Sequence, residues 1–244
     1  MFLGFRFKEN PVVFSLIFIN LFYFLLLELN GGSDNWLTLV YWGAKEGVSI
    51  SRGEYWRLIT PIFMHIGFFH LVSNTIALII FGPIMEKVLG PYKFLIIYLI
   101  TGVWGNIASF LSSYAIGAGA SGALFGLAGS YAAYLYINRG NLGNWGREAL
   151  IGLGWIVGIN LIFGFTMNGI DNSAHLGGLV SGWVIGILLC PLSTSVITSE
   201  QTNMQIFTER KIMTQRGNLS WILITTLNIF GMIFSVNLII KLFY

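Results

Sequence analysis

The chain has 244 residues, of which 55% are hydrophobic and only 9% are charged. At this length a soluble protein would form one or two domains, but the mean hydropathy of +0.76 points to the membrane instead. The formal net charge of +3 fits basic residues that flank membrane helices. Since the sequence has no nucleic-acid-binding motif, we expect no nucleic-acid partner. Cys190 is the single cysteine, which excludes an intramolecular disulfide bond.

A helix needs about 20 apolar residues to cross a bilayer core. Seven stretches have this character, at residues 11–29, 67–86, 93–113, 121–138, 148–166, 173–192 and 220–242. At about 20 residues each they account for roughly 140 residues, which leaves no room for a separate soluble domain. The sequence therefore predicts an all-α membrane protein, a polytopic helical bundle in the lipid bilayer.

The basic residues predict the orientation, because cytoplasmic loops carry an excess of lysine and arginine. With the N-terminus inside, nine of the 13 basic residues lie in cytoplasmic segments: Arg6, Lys8, Lys87, Lys93, Arg139, Arg147, Arg210, Lys211 and Arg216. The other four lie outside: Lys45, Arg52, Arg57 and Lys241. We therefore expect a multi-pass protein of the cell membrane with a cytoplasmic N-terminus.

Two segments between the spans have a distinct composition. Residues 30–66 are long for a membrane loop and rich in aromatic residues, which prefer the headgroup region, so we expect this outer loop to lie in the interface. Residues 193–219 are polar and predict a cytoplasmic linker to an additional transmembrane helix at 220–244. Residues 1–192 then form the core with the first six spans.

Polar side chains inside membrane spans are costly and are functional by default. The second span carries His70 and Asn74 near its outer end, the fourth begins at Ser121, and the sixth has His175 at its start. All three spans run from outside to inside, so the four side chains fall at a similar depth in the outer leaflet. We expect them to form one site.

These residue types suit acyl transfer. Serine alone is a poor nucleophile and needs a base, and His175 is the candidate because an unperturbed imidazole titrates near neutrality. The tetrahedral intermediate needs preorganised hydrogen-bond donors for its oxyanion. We expect His70, Asn74 and the backbone N–H of Ser121 to supply them, since residues four apart lie on one helix face.

Small residues predict that the helices carrying the serine and the histidine pack closely. They recur in the fourth and sixth spans, at Gly122, Gly126 and Gly129 and at Ala174, Gly178, Gly182 and Gly186. The carboxylates all lie outside the spans or at their ends, and the nearest, Asp171, precedes His175 by four residues. We expect Asp171 to cap the sixth helix rather than to complete a triad.

Three separated motifs resemble the rhomboid family of intramembrane serine proteases, over about residues 56–186. They are Gly119-Ala120-Ser121-Gly122, Ser173-Ala174-His175-Leu176-Gly177-Gly178, and His70-Leu71-Val72-Ser73-Asn74. The resemblance implies a six-helix core, here with a seventh C-terminal helix, and a Ser121–His175 dyad without a third acid. Phe125 matches the position of an aromatic ring against the histidine, and Trp56-Arg57 matches a pair that we expect to brace the first loop. Gly119, Gly122 and Gly178 belong to the supporting motifs.

The function predicted from these residues is an intramembrane serine endopeptidase that cleaves single-pass transmembrane proteins near the outer face. The alternative is a catalytically silent, rhomboid-like protein that binds membrane clients, but that function predicts a missing nucleophile or base. A third possibility, a small transporter, would carry polar groups at the membrane midplane, whereas the four polar residues here are predicted to lie toward one face of the membrane. His65 and His70 lack a His-Glu-x-x-His context, so we expect no metal site and no cofactor.

Overall fold

The computed structural model describes residues 8–167, 169–192 and 218–243. In these ranges the chain forms nine α-helices and two short 3₁₀ helices. The α-helices are α1 Pro11–Leu29, α2 Trp36–Trp42, α3 Gly47–Ser51, α4 Phe68–Leu89, α5 Pro91–Ser112, α6 Ser121–Ile137, α7 Arg139–Thr166, α8 Asn172–Leu189 and α9 Asn218–Phe243. The 3₁₀ helices are Tyr55–Leu58 and Thr60–Phe63.

This is a multi-pass membrane protein. Of the described helices, six are long and apolar enough to cross a bilayer: α1, α4, α5, α7, α8 and α9. The predicted fourth span is α6, which has 17 residues and is largely buried among the others. The predicted all-α polytopic bundle is confirmed. Residues 193–217 of the predicted linker lie outside the described residues.

The fifth span begins earlier than the hydropathy indicates. Helical structure starts at Arg139 instead of residue 148, and it is interrupted at Gly143, where φ is +57° and ψ is −145°. Glycine adopts such a conformation without a Cβ penalty. Residues 139–142 therefore form a separate helical turn, and the main helix begins after Gly143, a few residues before the apolar stretch.

Helices α5, α6 and α8 form the centre of the bundle, where backbones meet at the glycine positions. A Cβ built on Gly178 would lie 1.9 Å from the Gly122 carbonyl oxygen, and one on Gly182 would lie 2.0 Å from that of Gly126. On the other side of α6, a Cβ on Gly126 would overlap Thr101 of α5, 2.0 Å from its Oγ1. Only glycine permits this spacing, so the packing predicted between the fourth and sixth spans is present.

The loop between α1 and α4, which the sequence predicts to be the outer loop, is folded around Arg57, which is 6% exposed. Its Nε pairs with the Glu54 carboxylate at 2.6 Å. Its Nη1 donates to the carbonyls of Val40 at 2.6 Å and Ala44 at 3.2 Å, at the C-terminal end of α2, where positive charge is favourable. The guanidinium also lies 4.5 Å from the centre of the Trp56 ring. These contacts tie the loop together, as expected for the Trp-Arg pair.

Helix α9 packs against α5 on the outside of the bundle. The indole Nε1 of Trp104 donates to Asn228 Oδ1 at 3.2 Å, and Lys93 Nζ lies 4.8 Å from the Trp221 ring centre. One polar contact and one cation–π contact therefore join this helix to the core.

Candidate active site

The polar residues predicted to act together line one cavity of about 720 Å³. Ser121 and His175 stand in the first turns of α6 and α8, and His70 and Asn74 in the first two turns of α4. Because α4, α6 and α8 all begin on the same side of the bundle, their N-terminal turns bring the four side chains into this one cavity. The structure therefore brings all four residues together.

The loop before α6 presents Ser121 in a fixed position. Gly119 has φ +143°, and its N–H donates to the Pro61 carbonyl at 2.9 Å. A Cβ on Gly119 would lie 2.6 Å from Cε1 of His70, so the imidazole lies directly against the loop backbone. Across the start of α6, Leu124 N–H donates to the Ala120 carbonyl at 3.0 Å. The Ser121 N–H has no acceptor within the helix and can bind an anion at the positive end of the helix dipole.

His175 is held by an aromatic ring one turn after the serine. The imidazole stacks on Phe125 with ring centres 4.3 Å apart and planes inclined by 7°. Its Nδ1 is buried and makes no hydrogen bond within the described residues, which leaves Nε2 as the nitrogen accessible from the cavity. The described contacts include no hydrogen bond between Ser121 Oγ and His175. In free enzymes such bonds are often long and shorten only when substrate binds.

Asn74 is 5% exposed at the cavity wall. Its Nδ2 donates to the backbone carbonyl of His70 at 2.9 Å, which uses one of the two amide hydrogens and leaves the second for another acceptor. Its Oδ1 is buried and has no partner among the described residues. The amide is therefore anchored to its own helix by one hydrogen and retains one donor.

Asp171 caps α8, as expected from its position. Its Oδ1 accepts the Ala174 N–H at 3.0 Å, and its Oδ2 accepts a hydrogen bond from the Ser109 hydroxyl. Since Nδ1 of His175 has no hydrogen-bond partner in the described part of the chain, the Asp171 carboxylate does not orient the imidazole directly. Among the described residues, no carboxylate is hydrogen-bonded to the His175 imidazole.

Two residues near the site carry no sequence signal for a role there. Lys45 reads in the sequence as one more basic residue of the outer loop, yet it is 1% exposed and its Nζ donates to Ser109 Oγ at 2.9 Å. Asn106 lines the cavity and donates from Nδ2 to the Leu58 carbonyl at 2.9 Å. Both make contacts between segments far apart in the chain, which residue spacing cannot reveal.

The sequence matches the model of one known family, and the relatives agree with it. Residues 52–192 match the Rhomboid domain. The chain is 47% identical over 179 residues to "Rhomboid protease GluP" of Bacillus subtilis, covering 72% of this chain and 35% of that protein. It is 39% identical over 154 residues to "RHOMBOID-like protein 1" of Arabidopsis thaliana, covering 62% of this chain and 39% of that one. For "RHOMBOID-like protein 5" of the same plant the identity is 39% over 155 residues, with coverage of 62% and 50%.

The matched region, residues 52–192, contains all three motifs described above, with His70, Ser121 and His175. The chain spans between about a third and a half of the length of these three relatives.

Proposed function

The chain belongs to the rhomboid family, and from this premise we propose that it is an intramembrane serine endopeptidase with a Ser121–His175 dyad. The observation that carries the proposal is the cavity of about 720 Å³ that Ser121, His175, His70 and Asn74 line together. These four residues are nucleophile, base and oxyanion donors in the chemistry that acyl transfer requires.

The proposed reaction begins when Ser121 Oγ attacks the carbonyl carbon of the scissile peptide bond and His175 Nε2 takes the hydroxyl proton. The carbonyl oxygen becomes an oxyanion, which the Ser121 N–H, the second Asn74 amide hydrogen and His70 stabilise. His175 then gives its proton to the leaving amine as the C–N bond breaks. Water, with its proton again taken by His175, hydrolyses the resulting ester and restores the serine.

The proposed substrates are single-pass transmembrane proteins. The site lies at the N-terminal ends of α4, α6 and α8, which the positive-inside rule assigns to the outer side of the cell membrane, with the N-terminus of the chain in the cytoplasm. A substrate helix hides its backbone carbonyls in hydrogen bonds, so cleavage there favours segments with helix-breaking residues near the outer face. We assign the reaction to the core within residues 1–192 and treat 193–219 as the linker to an added helix, 220–244.

The test is labelling with a serine-reactive fluorophosphonate, together with cleavage of a reconstituted transmembrane substrate. Wild-type protein should be labelled and active, and Ser121→Ala should lose both because nucleophile and base act as a unit. His175→Ala should lose cleavage for the same reason. Ser73→Ala is the matched control: Ser73 lines the same cavity, and its removal should leave labelling intact.

Folded wild-type protein that is neither labelled nor active would contradict the protease and would favour the catalytically silent client-binding protein. Turnover by a folded Ser121→Ala variant would contradict the serine mechanism. Labelling that disappears in Ser73→Ala instead would move the nucleophile to another residue of the cavity.

A further inference from the structure

A hydrogen-bonded chain connects the outer loop to the helix that carries His175. Lys45 Nζ donates to Ser109 Oγ at 2.9 Å and to the Ser113 carbonyl at 2.7 Å, at the outer end of α5. The Ser109 hydroxyl in turn donates to Oδ2 of Asp171. Asp171 Oδ1 accepts from the Ala174 N–H at 3.0 Å, the residue before His175. The outer loop, α5 and α8 therefore meet at three consecutive polar contacts.

The backbone of the same lysine holds the loop that leads to the serine. Lys45 N–H donates to the Gly117 carbonyl and Gly117 N–H donates to the Lys45 carbonyl, both at 2.9 Å. This antiparallel bridge lies two residues before Gly119, whose backbone contacts the His70 ring. One residue therefore anchors the approach to Ser121 through its backbone and the start of α8 through its side chain.

The side chain of Lys45 is buried, although it lies in a loop. Its exposure is 1%, and burying an ammonium group is costly unless it is paired and hydrogen-bonded. Burial lowers the pKa of Lys45, while the nearby carboxylates of Asp171 and Glu46 oppose that shift. An ordinary loop contact does not need a buried lysine. Hydrogen bonds from an ammonium group are strong and directional, so they are suited to fixing the spacing between three segments of the chain.

We infer that Lys45 is a positioning residue that sets the spacing between Ser121 and His175 through the chain Lys45–Ser109–Asp171. This inference rests on the proposed protease function. Among the described contacts, Lys45 makes none with Ser121, His175, His70 or Asn74. It acts through the Gly117 bridge on one side and through Asp171 on the other. In the described part of the chain the Asp171 carboxylate makes no hydrogen bond to the His175 imidazole, whereas the His175 backbone N–H donates to the Asp171 carbonyl at 3.2 Å. Asp171 therefore positions the helix rather than the ring, in agreement with this indirect role.

The experiment compares Lys45→Met, Ser109→Ala, Asp171→Asn and the double variant Lys45→Met/Asp171→Asn. For each, the rate of fluorophosphonate labelling, kcat and KM for a transmembrane substrate, and the melting temperature in detergent are measured. Lys45→Met should lower kcat and the labelling rate between about ten- and a hundredfold, the scale of a small misplacement of reacting groups. KM should stay within about twofold, because substrate contacts are unchanged.

The decisive quantity is the coupling between the effects of Lys45→Met and Asp171→Asn on the rates, since these residues are the two ends of the hydrogen-bonded connection. Both single variants break the same connection, so the double variant should be slower than the slower single one by no more than about threefold. Arg52→Met is the matched control, since it removes an exposed cation of the same loop, and its rates should stay within about twofold of wild type. If Lys45→Met fails to fold, Ser109→Ala carries the test, because it keeps both charges and removes only the bridging hydroxyl.

Folded Lys45→Met protein that labels as fast as wild type would overturn the positioning role and leave the protease intact. Effects of Lys45→Met and Asp171→Asn that multiply in the double variant would overturn the connection through Ser109. A folded wild-type protein without labelling or cleavage would overturn the proposed function and the positioning role together.

Discussion

The bundle has a tightly packed part and a loosely packed part, and the predicted site lies between them. In the tight part, α6 and α8 approach until glycine Cα atoms contact carbonyl oxygens, as between Gly178 and Gly122. In the loose part, α7 carries Gly152, Gly154 and Gly158, and a Cβ on any of the three would meet no atom within 4 Å. An apolar cavity of about 340 Å³ separates α7 from α6 and α8 near Leu153 and Leu179.

This difference shows that glycines in one membrane protein differ in whether they set the distance between helices. Between α6 and α8 it removes the Cβ so that two backbones can touch, which fixes the distance between the helices that carry Ser121 and His175. In α7, Gly152, Gly154 and Gly158 face open space and set no distance, whereas a Cβ on Gly164 would lie 2.0 Å from Asn172 Oδ1. We therefore expect the geometry of the predicted dyad to depend on the α6–α8 contact and to be insensitive to the packing of α7.

The largest expected effect tests which wall of the cavity takes part in the reaction. Asn74 on α4 and Asn160 on α7 both line the cavity, and each donates from Nδ2 to a carbonyl four residues earlier, at 2.9 Å and 2.8 Å. Asn74→Ala should lower kcat by about 10²–10³-fold, the loss of one oxyanion donor. Asn160→Ala should stay within about twofold, as for a surface substitution.

Cleavage kinetics in reconstituted vesicles measure both variants, with fluorophosphonate labelling as the check that the serine remains reactive. Equal, small effects of Asn74→Ala and Asn160→Ala would reduce Asn74 to a helix-packing residue and would leave His70 and the Ser121 N–H as the oxyanion donors.

The next prediction compares a glycine at the α6–α8 contact with a glycine of α7 that faces open space. Gly178→Val places a branched side chain where the Gly122 carbonyl lies 1.9 Å from the Cβ position, and backbone cannot yield as a side chain can. We expect a loss of stability of about 3 kcal/mol, at the upper end for overpacking, and at least about a hundredfold lower kcat. Gly158→Val makes the same change in helix propensity, which favours valine over glycine, and it meets no clash. Its unfolding free energy should therefore change by less than about 1 kcal/mol.

Melting temperature in detergent and substrate cleavage, measured on the same samples, check both glycine variants. A Gly178→Val protein as stable and active as Gly158→Val would show that the α6–α8 spacing does not control the site.

The sequence predicts the regular parts of this molecule well, because they depend on hydropathy and side-chain spacing. Membrane helices need a long apolar stretch, so the first predicted span, 11–29, coincides with α1 Pro11–Leu29. The common depth of Ser121 and His175 also follows from counting spans. The start of α7 was missed because a polar helical turn ahead of a membrane span leaves no hydropathy signal, and Gly143 alone marks the break.

The parts that could not be predicted depend on contacts between segments far apart in the chain. Nothing in the residues around Lys45 indicates that its side chain is buried against α5 and linked to Asp171. The spacing of Asp171 is enough to predict that it caps α8. The second hydrogen bond of its carboxylate, from Ser109, joins residues far apart in the chain and is visible only in the folded structure. The outer loop shows the same limit, since Arg57 joins carbonyls 13 and 17 residues away.

The smallest expected effect concerns the loop that leads into α4. His65 is fully buried there, with its ring centre 5.4 Å from that of His70. Burial, and secondarily the neighbouring His70, lowers the pKa of His65 to about 3. An unfolded histidine takes up its proton near pH 6.5, so below that pH the unfolded state binds a proton that the folded state refuses. The stability contributed by neutral His65 is therefore complete above pH 6.5 and is lost as the pH falls toward 3.

One proton of difference corresponds to about 1.4 kcal/mol of unfolding free energy per pH unit. We expect His65→Phe, which keeps a buried ring without a titrating group, to lose this share of the acid sensitivity between pH 6 and pH 4. Unfolding free energies in mixed micelles at several pH values measure the slope for both proteins. Other groups contribute equally to both slopes, so the difference isolates His65. Parallel slopes would mean that His65 takes up its proton in the folded protein as readily as in the unfolded chain, and that the loop admits the charge.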